Sequence, residues 1–337
     1  MRSHCSVFVD VGYLLAASAT RVTGTSLRGG VVISYPDLVS GIIAQAERES
    51  GLPVLRIHWY DSGSKPGGAP DHTQEMIGEL PRVKLRLGRL SPHGEQKGVD
   101  LRIGLDLASH GRNKVSDLVY LLSGDDDLTE AVEEAQGHGV QVVILAVPDA
   151  KGQPHAVARH LVRACDDVVI LDPQVVDRTV MVRAQQVPVA PAPALEGLPE
   201  PAQPEATIGP APEGSVELRP TPALLAAMKA HVGGNGPRPR SVVVYSSSSG
   251  GVTDDAPSVG EEWRAIDDVC RGVIAAWRAQ ASEPEQERVR REQGFIPNDL
   301  DRTLLTDLSV RLGIYDIGDS TRYALRAHFW EVLAEDE

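Results

Sequence analysis

Short apolar runs alternate with helix-like segments between residue 5 and about residue 172, and this alternation restricts the fold more than any other feature of the chain. Runs such as YLL and VQVVILAV are apolar without interruption, which is typical of strands buried on both faces of a parallel sheet. Strands that alternate with helices indicate β-α-β units. The sequence therefore predicts an α/β fold with three layers, in which helices cover both faces of a mostly parallel sheet.

The predicted elements follow from the spacing of apolar residues. The strands are short apolar runs, and they cover residues 5–9, 53–60, 83–90, 118–122, 140–147 and 168–171. The helices have apolar residues at helical spacing, and they cover residues 35–50, 72–80, 98–110, 128–137 and 155–165.

The composition changes after this part of the chain. Residues 187–216 are rich in Pro, Ala and Glu, which is typical of an extended linker. A short helix within residues 217–231 and a strand at residues 241–245 are compatible with the pattern. From residue 261 apolar residues return at helical spacing, and the tryptophans there are expected in a core. We predict an α/β domain over 1–175, a Pro/Gly-rich linker over 176–260 and a small, mainly helical domain over 261–337, with a winged-helix-like arrangement as one possibility.

Net charge and cysteine content limit the class of protein. The formal net charge is -14, which argues against a protein held on nucleic acid by bulk charge but allows an enzyme with a local basic track. Three widely spaced cysteines without a CxxC pair support neither a disulfide framework nor a zinc cluster, so a reducing cytoplasm is the expected location. Asp10 interrupts an N-terminal run that otherwise resembles a signal peptide, and no other run is long enough to span a membrane.

Aspartates follow the predicted strands at the edge where parallel sheets bind ligands. Asp10 comes directly after the first strand, and Asp125 and Asp127 follow the strand at 118–122. Carboxylates that converge there would repel each other unless a cation compensates them. The hard cations Mg²⁺ and Mn²⁺ prefer such oxygen ligands.

A helix supplies a fourth carboxylate. Asp100 lies in the first turn of the helix that begins near residue 98, and it shares a stripe with Ile103 and Leu107 that is expected to face the sheet. Asp106 is rotated by about 120° around the same helix and is the weaker candidate.

Four segments, VFVDVGYLL, KGVDLRIGLDLA, DLVYLLSGDDDLTEAV and HGVQVVILAV, resemble in this order the NYN domain, a branch of the PIN-like nucleases. The resemblance covers roughly residues 5–172. It implies an enzyme that binds Mg²⁺ or Mn²⁺ and hydrolyses RNA to leave a 5′-phosphate and a 3′-hydroxyl. The implied metal ligands and catalytic residues are Asp10, Asp100, Asp125 and Asp127, with Ser123 and Lys97 in support.

Two positions depart from the family pattern. Val11 stands where the family usually has glycine, and Tyr13 where it usually has a supporting asparagine. Gly12 is expected to restore the turn.

A basic face on the predicted β-strand at 83–90 is the candidate for contact with RNA phosphates. The RNA is expected to be single-stranded. The candidate residues of this face and its surroundings are Arg82, Lys84, Arg86, Arg89, Lys97, Arg102, Arg112 and Lys114. A solvated outer face is an equally common reason for such a pattern.

Other interpretations stay open. Each aspartate by itself is also a common helix cap or first-turn residue. The chain could be a catalytically silent module that binds RNA or protein, with the C-terminal domain recruiting a protein partner. An aspartyl phosphotransferase would need a second Asp two residues after Asp10, where this chain has Gly12.

Overall fold

A computed structural model describes residues 3–63, 68–90, 96–183, 259–292, 294–314 and 317–335. Of the linker predicted over 176–260, residues 176–182 belong to a helix and a strand. The Pro-rich part over 187–216, the short helix within 217–231 and the strand at 241–245 lie outside the described residues. Residues 1–186 and 257–337 belong to one compact unit. The proposed domain boundaries stay a prediction.

A mostly parallel sheet organises the N-terminal half. In chain order the strands are β1 (Cys5–Asp10), β2 (Val31–Ile33), β3 (Val54–Ser62), β4 (Val83–Leu90), β5 (Gln96–Lys97), β6 (Leu118–Leu122), β7 (Gln141–Ala146), β8 (Asp167–Ile170) and β9 (Val180–Val182). The main sheet has the order β5-β4-β3-β1-β6-β7-β8. Its six longer strands run parallel, and only the two-residue β5 is antiparallel, on the edge beside β4. β2 and β9 form a separate antiparallel pair.

Helices connect these strands and make up the described C-terminal part. They are α1 (Val11–Thr23), α2 (Tyr35–Ser50), α3 (His72–Gly78), α4 (Val99–Asn113), α5 (Thr129–Gly137), α6 (Arg159–Ala164), α7 (Pro173–Thr179), α8 (Val259–Arg278), α9 (Glu283–Arg291), α10 (Asn298–Leu312) and α11 (Asp319–Glu335).

Two of these helices differ from the sequence prediction. α1 was not predicted, and it begins where the Asp10 side chain accepts a hydrogen bond from the Tyr13 backbone N–H. The helix predicted over 155–165 begins only at Arg159. The residues before it form a loop in which Ala156 has a positive φ of 51°, and a left-handed residue of this kind cannot continue a helix.

The sheet is buried on both faces. Along β1, Val7 and Val9 pack into one core with α1, α2 and α7, whereas Phe8 packs into a second core with α4, α5 and α6. Side chains alternate across a strand, so every strand of this kind must be apolar at successive positions. The predicted α/β fold, with helices on both faces of a mostly parallel sheet, is confirmed.

The helices α8 to α11 share a core of their own. Their described residues, 259–292, 294–314 and 317–335, contain no strand. Leu304, Leu308 and Phe329 are fully buried there, and Leu27 from the N-terminal half joins the same core with 5% exposure. Trp263 does not, because it is 49% exposed and makes an edge contact with the His328 ring. The prediction that the C-terminal tryptophans are core residues is therefore wrong for Trp263.

Two histidines lie in the core between the sheet and α4. The rings of His58 and His110 meet edge to face with centroids 4.8 Å apart, and Phe8 contacts both rings. The Nδ1 atoms of both histidines lack a hydrogen-bond partner among the described residues. Burial, together with the charge of His110, lowers the pKa of His58 to about 3, so this imidazole is neutral at pH 7.

His58→Phe should remove an acid-sensitive contribution to stability. The pKa of His58 lies below its ordinary value of 6.5 in the folded protein, so the unfolded chain binds a proton that the folded chain rejects, and stability falls as the pH drops from 6.5 towards 3. At 1.36 kcal/mol per pKa unit this amounts to about 2 kcal/mol between pH 7 and pH 5. Urea unfolding of both proteins at these two pH values measures it. A stability difference that is the same at pH 5 and pH 7 would contradict the assignment.

The remaining predictions on location concern cysteines and membrane spans. Cys5, Cys165 and Cys270 are free and buried. Among the helices in the described part of the chain, none combines the length and the apolar character needed to cross a membrane.

Candidate active site

The carboxyl ends of β1 and β6 bring the first candidate residues together. The two strands are parallel neighbours, and Val9 pairs with Leu122, so Asp10 and Ser123 follow at the same edge of the sheet. Ser123 is fully buried. Its hydroxyl donates to Oδ2 of Asp10 at 3.2 Å and accepts the backbone N–H of Asp125, also at 3.2 Å. Ser123 therefore links Asp10 to the acidic loop that follows β6.

Asp10 is a partly buried carboxylate. Its Oδ1 accepts the backbone N–H of Tyr13 at 3.3 Å, and no cation lies within ion-pair distance of it in the part of the chain that the structure describes. Burial raises the pKa of Asp10 to about 6, and the nearby charge of Asp100 contributes to the rise. The hydrogen bonds from Tyr13 and Ser123 and the charge of Arg28 oppose it.

The other three predicted ligands surround the same edge. Asp100 lies in the first turn of α4, and its pKa is raised by partial desolvation of its carboxyl group and by the negative charges of Asp125 and Asp127. Oδ1 of Asp125 accepts the backbone N–H of Asp127 at 3.0 Å, which fixes the turn that leads into α5. Electrostatic interactions thus connect Asp10 to Asp100, and Asp100 to both Asp125 and Asp127.

The orientation predicted for Asp100 needs a correction. Ile103 and Leu107 are fully buried against the sheet, as expected, but Asp100 on the same stripe is exposed. Its carboxylate lies close enough to the acidic loop for the charges of Asp125 and Asp127 to act on it.

The chemistry of this donor set suits a hard divalent cation. All four candidates are carboxylates, which such ions prefer, and the raised pKa of Asp10 shows that its negative charge lacks full compensation. The four carboxylates do not, however, form a preformed metal site. Within the described residues, no three His, Cys, Asp or Glu side chains are grouped closely enough to hold a metal ion.

The weaker candidate, Asp106, has a different role. Its Oδ2 accepts the hydroxyl of Tyr60 at 3.0 Å and forms an ion pair with Nε of Arg86 at 3.2 Å. Asp106 therefore links α4 to the buried Tyr60 of β3. It is not part of the group formed by Asp10, Asp100, Asp125 and Asp127, which we call the acidic edge.

Four of the predicted basic residues have a carboxylate partner or lie at the far end of α4. Arg82 pairs with Glu47 at 2.8 Å, at the start of β4, and Arg86 pairs with Asp106. Arg112 and Lys114 are exposed at the end of α4 that points away from the acidic edge, because this helix runs antiparallel to the strands. Contacts of these residues with RNA stay a prediction.

The remaining basic candidates are only partly described. Lys84 and Arg102 have exposed side chains. Arg89 and Lys97 pair across β4 and β5 through their backbones, and their side chains lie outside what the structure describes.

Tyr13, at the position of the family's asparagine, binds a different part of the site. Its hydroxyl donates to the carbonyl oxygen of His155 at 2.9 Å and accepts the backbone N–H of Val147 at 3.1 Å. The ring therefore ties α1 to the end of β7 and to the loop beyond it. Val11 is a core residue with 2% exposure, so both departures from the family pattern serve packing around the site.

Two further charged residues adjoin the site and were not predicted. Asp61 follows Tyr60 at the end of β3, and Tyr60 pairs with Asp10. Burial raises the pKa of Asp61, and hydrogen bonds from Gln74 Nε2 and the Ser62 backbone N–H, both at 2.8 Å, oppose the rise. Arg28 approaches from the connection after α1 and donates to the carbonyl oxygen of Gly12 at 2.9 Å.

Comparison with known proteins identifies the family to which the chain belongs. The chain is 42% identical over 79 residues to the uncharacterized protein y4oD of Sinorhizobium fredii, a match that covers 23% of this chain and 37% of that protein. A crystal structure of a Vibrio parahaemolyticus protein of unknown function is 20% identical and covers 53% of this chain and 97% of its own, with a TM-score of 0.36. The family model named NYN domain matches residues 4–172. This protein therefore belongs to the NYN domain family, within the PIN-like nuclease superfamily.

Proposed function

We propose that this protein is a metal-dependent ribonuclease. The observation that carries the proposal is the electrostatic link between Asp10, Asp100, Asp125 and Asp127 at one edge of the sheet, with the pKa of Asp10 raised to about 6. A partly buried carboxylate whose charge is incompletely compensated costs folding free energy, and a catalytic metal site is a physical reason to retain one. Membership of a nuclease superfamily supports the same reaction class.

The four aspartates would hold Mg²⁺ or Mn²⁺. When bound, such an ion neutralises charge on the phosphate and lowers the pKa of a coordinated water. Ser123 keeps the Asp10 carboxylate oriented through its hydroxyl. In the proposed hydrolysis a water oxygen bonds to phosphorus, the bond from phosphorus to the 3′ oxygen breaks, and a proton ends on that oxygen. The products are a 5′-phosphate and a 3′-hydroxyl.

A silent binding module is the second candidate. The observation in its favour is the absence, within the described residues, of a side-chain group close enough to hold a metal ion. Such a protein would bind RNA or a protein partner through the same fold and would leave RNA intact.

Cleavage of labelled single-stranded RNA separates the two candidates. We expect cutting with Mn²⁺ or Mg²⁺ and none with EDTA, because the carboxylates alone lack the positive charge that the reaction needs. Asp10→Asn and Asp127→Asn should each lower the rate by about a hundredfold or more, on the scale of losing one strong electrostatic contact in an active site. Circular dichroism would verify that both variants are folded.

Asp37→Asn is the matched control. Asp37 also lies in the first turn of a helix, where it accepts the Ser34 hydroxyl at 2.6 Å, but it belongs to α2. This variant should cut RNA at the wild-type rate. Binding of RNA without cutting by the wild type, in either metal, would reject the ribonuclease and favour the binding module.

A further inference from the structure

Arg28 carries a positive charge next to the acidic edge. It lies in the short turn Arg28–Gly30 between α1 and β2, and its Nη2 donates to the Gly12 carbonyl oxygen at 2.9 Å. Within the described residues this is its one side-chain hydrogen bond, and no carboxylate is within ion-pair distance of it. A guanidinium has five N–H donors, so most of its donors are not used by the protein.

Gly12 brings Arg28 close to Asp10. A β-carbon on Gly12 would lie 3.0 Å from Oδ1 of Asp10 and 3.5 Å from Nη2 of Arg28. The Asp10 carboxylate and the Arg28 guanidinium therefore both lie close to Gly12, although they do not form an ion pair with each other. Burial and the neighbouring charge of Arg302 lower the pKa of Arg28, whereas the charges of Asp61 and Asp10 raise it.

The C-terminal helices hold the backbone on both sides of Arg28. The Ser26 backbone N–H donates to both carboxylate oxygens of Asp307 on α10, at 3.1 and 3.3 Å. Leu27 is buried in the helical core. A β-carbon on Gly29 would lie 3.0 Å from Oε1 of Gln280. The position of Arg28 therefore depends on residues far along the chain.

We propose that Arg28 binds a backbone phosphate of the RNA beside the acidic edge, and that α10 positions Arg28 there through Asp307. This proposal rests on the ribonuclease function proposed above. A guanidinium with unused donors matches the paired oxygens of a phosphate. A chain with a formal net charge of -14 also needs a local cation where a polyanion is to approach four aspartates. Arg302, exposed on α10 and close enough to affect Arg28, is a second cation on this side, together with the negative charge of Asp299 from the same helix.

RNA binding without cleavage tests the proposal. Fluorescence anisotropy of a labelled single-stranded RNA would be recorded in EDTA over a range of salt concentrations. Arg28→Gln should weaken binding about tenfold, as expected for the loss of one hydrogen-bonded charge contact, and should reduce the salt dependence by about 0.7 in log-log slope. Arg28→Lys keeps the charge but loses the paired donors, so its affinity for RNA should lie between those of the wild type and Arg28→Gln. Arg291→Gln removes a charge from exposed α9 and should bind as the wild type does.

A double-mutant cycle tests the positioning by α10. Asp307→Ala should weaken RNA binding in the wild-type background and have no further effect in the Arg28→Gln background, because both changes act on one contact. Additive effects would overturn the role of Asp307. Binding by Arg28→Gln within twofold of the wild type, or no measurable RNA binding by the wild type at low salt, would overturn the role of Arg28. A wild type that binds RNA through Arg28 but does not cut it would instead reject the ribonuclease, so the two failures are distinct.

Discussion

Asp10→Asn is expected to make the protein more stable by about 3 kcal/mol at pH 8 in metal-free buffer, while it lowers the rate of RNA cleavage by about a hundredfold or more. The pKa of Asp10 is raised from 3.8 to about 6 in the folded state. Between these values the folded protein binds a proton that the unfolded chain does not, so wild-type stability falls as the pH rises from 4 to above 6. The shift of about 2 units corresponds to about 3 kcal/mol. Asparagine has no such charge and avoids the loss.

Urea unfolding at pH 4.5 and pH 8 in EDTA measures this difference. The variant should gain about 1 kcal/mol at pH 4.5, where Asp10 is largely protonated in the folded protein, and about 3 kcal/mol at pH 8. Addition of Mg²⁺ at pH 8 should stabilise the wild type more than the variant, since a ligand that binds only the folded protein adds to its stability. The exposed Asp37→Asn control should change stability by less than about 0.5 kcal/mol at either pH. A stability difference between wild type and Asp10→Asn that does not depend on pH would show that Asp10 is ionised without penalty.

Gly124→Ala should disrupt both the fold and the site. Gly124 lies between Ser123 and Asp125, and a β-carbon there would be 1.9 Å from the carbonyl oxygen of Ala156 and 3.1 Å from Cε2 of Tyr13. The first of these is a backbone atom that cannot rotate away. We expect a loss of about 3 kcal/mol in unfolding free energy. Cleavage should fall about a hundredfold, because a shift of the loop on the order of 1 Å moves the carboxylates.

Gly137→Ala is the control for this change. Gly137 ends α5, and nothing lies within 4 Å of the position of its β-carbon. Alanine is the better helix former by about 0.5–1 kcal/mol, so this variant should be as stable as the wild type or slightly more stable. Urea unfolding and the RNA cleavage assay compare the two variants directly. A Gly124→Ala protein with wild-type stability would mean that the loop around Ala156 yields easily.

The acidic edge could be predicted because strand ends are visible in the sequence. Asp10 and Asp125 follow apolar runs, and parallel strands place such positions at one edge. The same rule applies to Asp61, which was missed because the second strand was predicted to end at residue 60 and extends to Ser62. Arg28 has no comparable signal. It lies in a short turn, and its position depends on helices that local spacing cannot place.

The basic strand illustrates what periodicity leaves out. Alternation correctly indicated that β4 would form and that Lys84 and Arg86 would share a face. It carried no information on the partners of that face. Asp106 from α4 pairs with Arg86, and Glu47 from α2 pairs with Arg82, so two of the predicted phosphate contacts already have carboxylate partners. Such pairings between elements depend on the packed fold and are absent from any single segment.

The hydrogen bond between Ser26 and Asp307 joins residues 281 positions apart, which has a consequence for how the protein is made. Domains generally fold during synthesis as their residues leave the ribosome. The sheet that carries Asp10 is complete once β8 has emerged, but the contacts of Ser26 and Leu27 with the C-terminal helices form only after α8 and α10 follow. A nascent chain would thus display the acidic edge before those contacts hold the turn with Arg28, and full RNA binding would arise only after α10 has been synthesised.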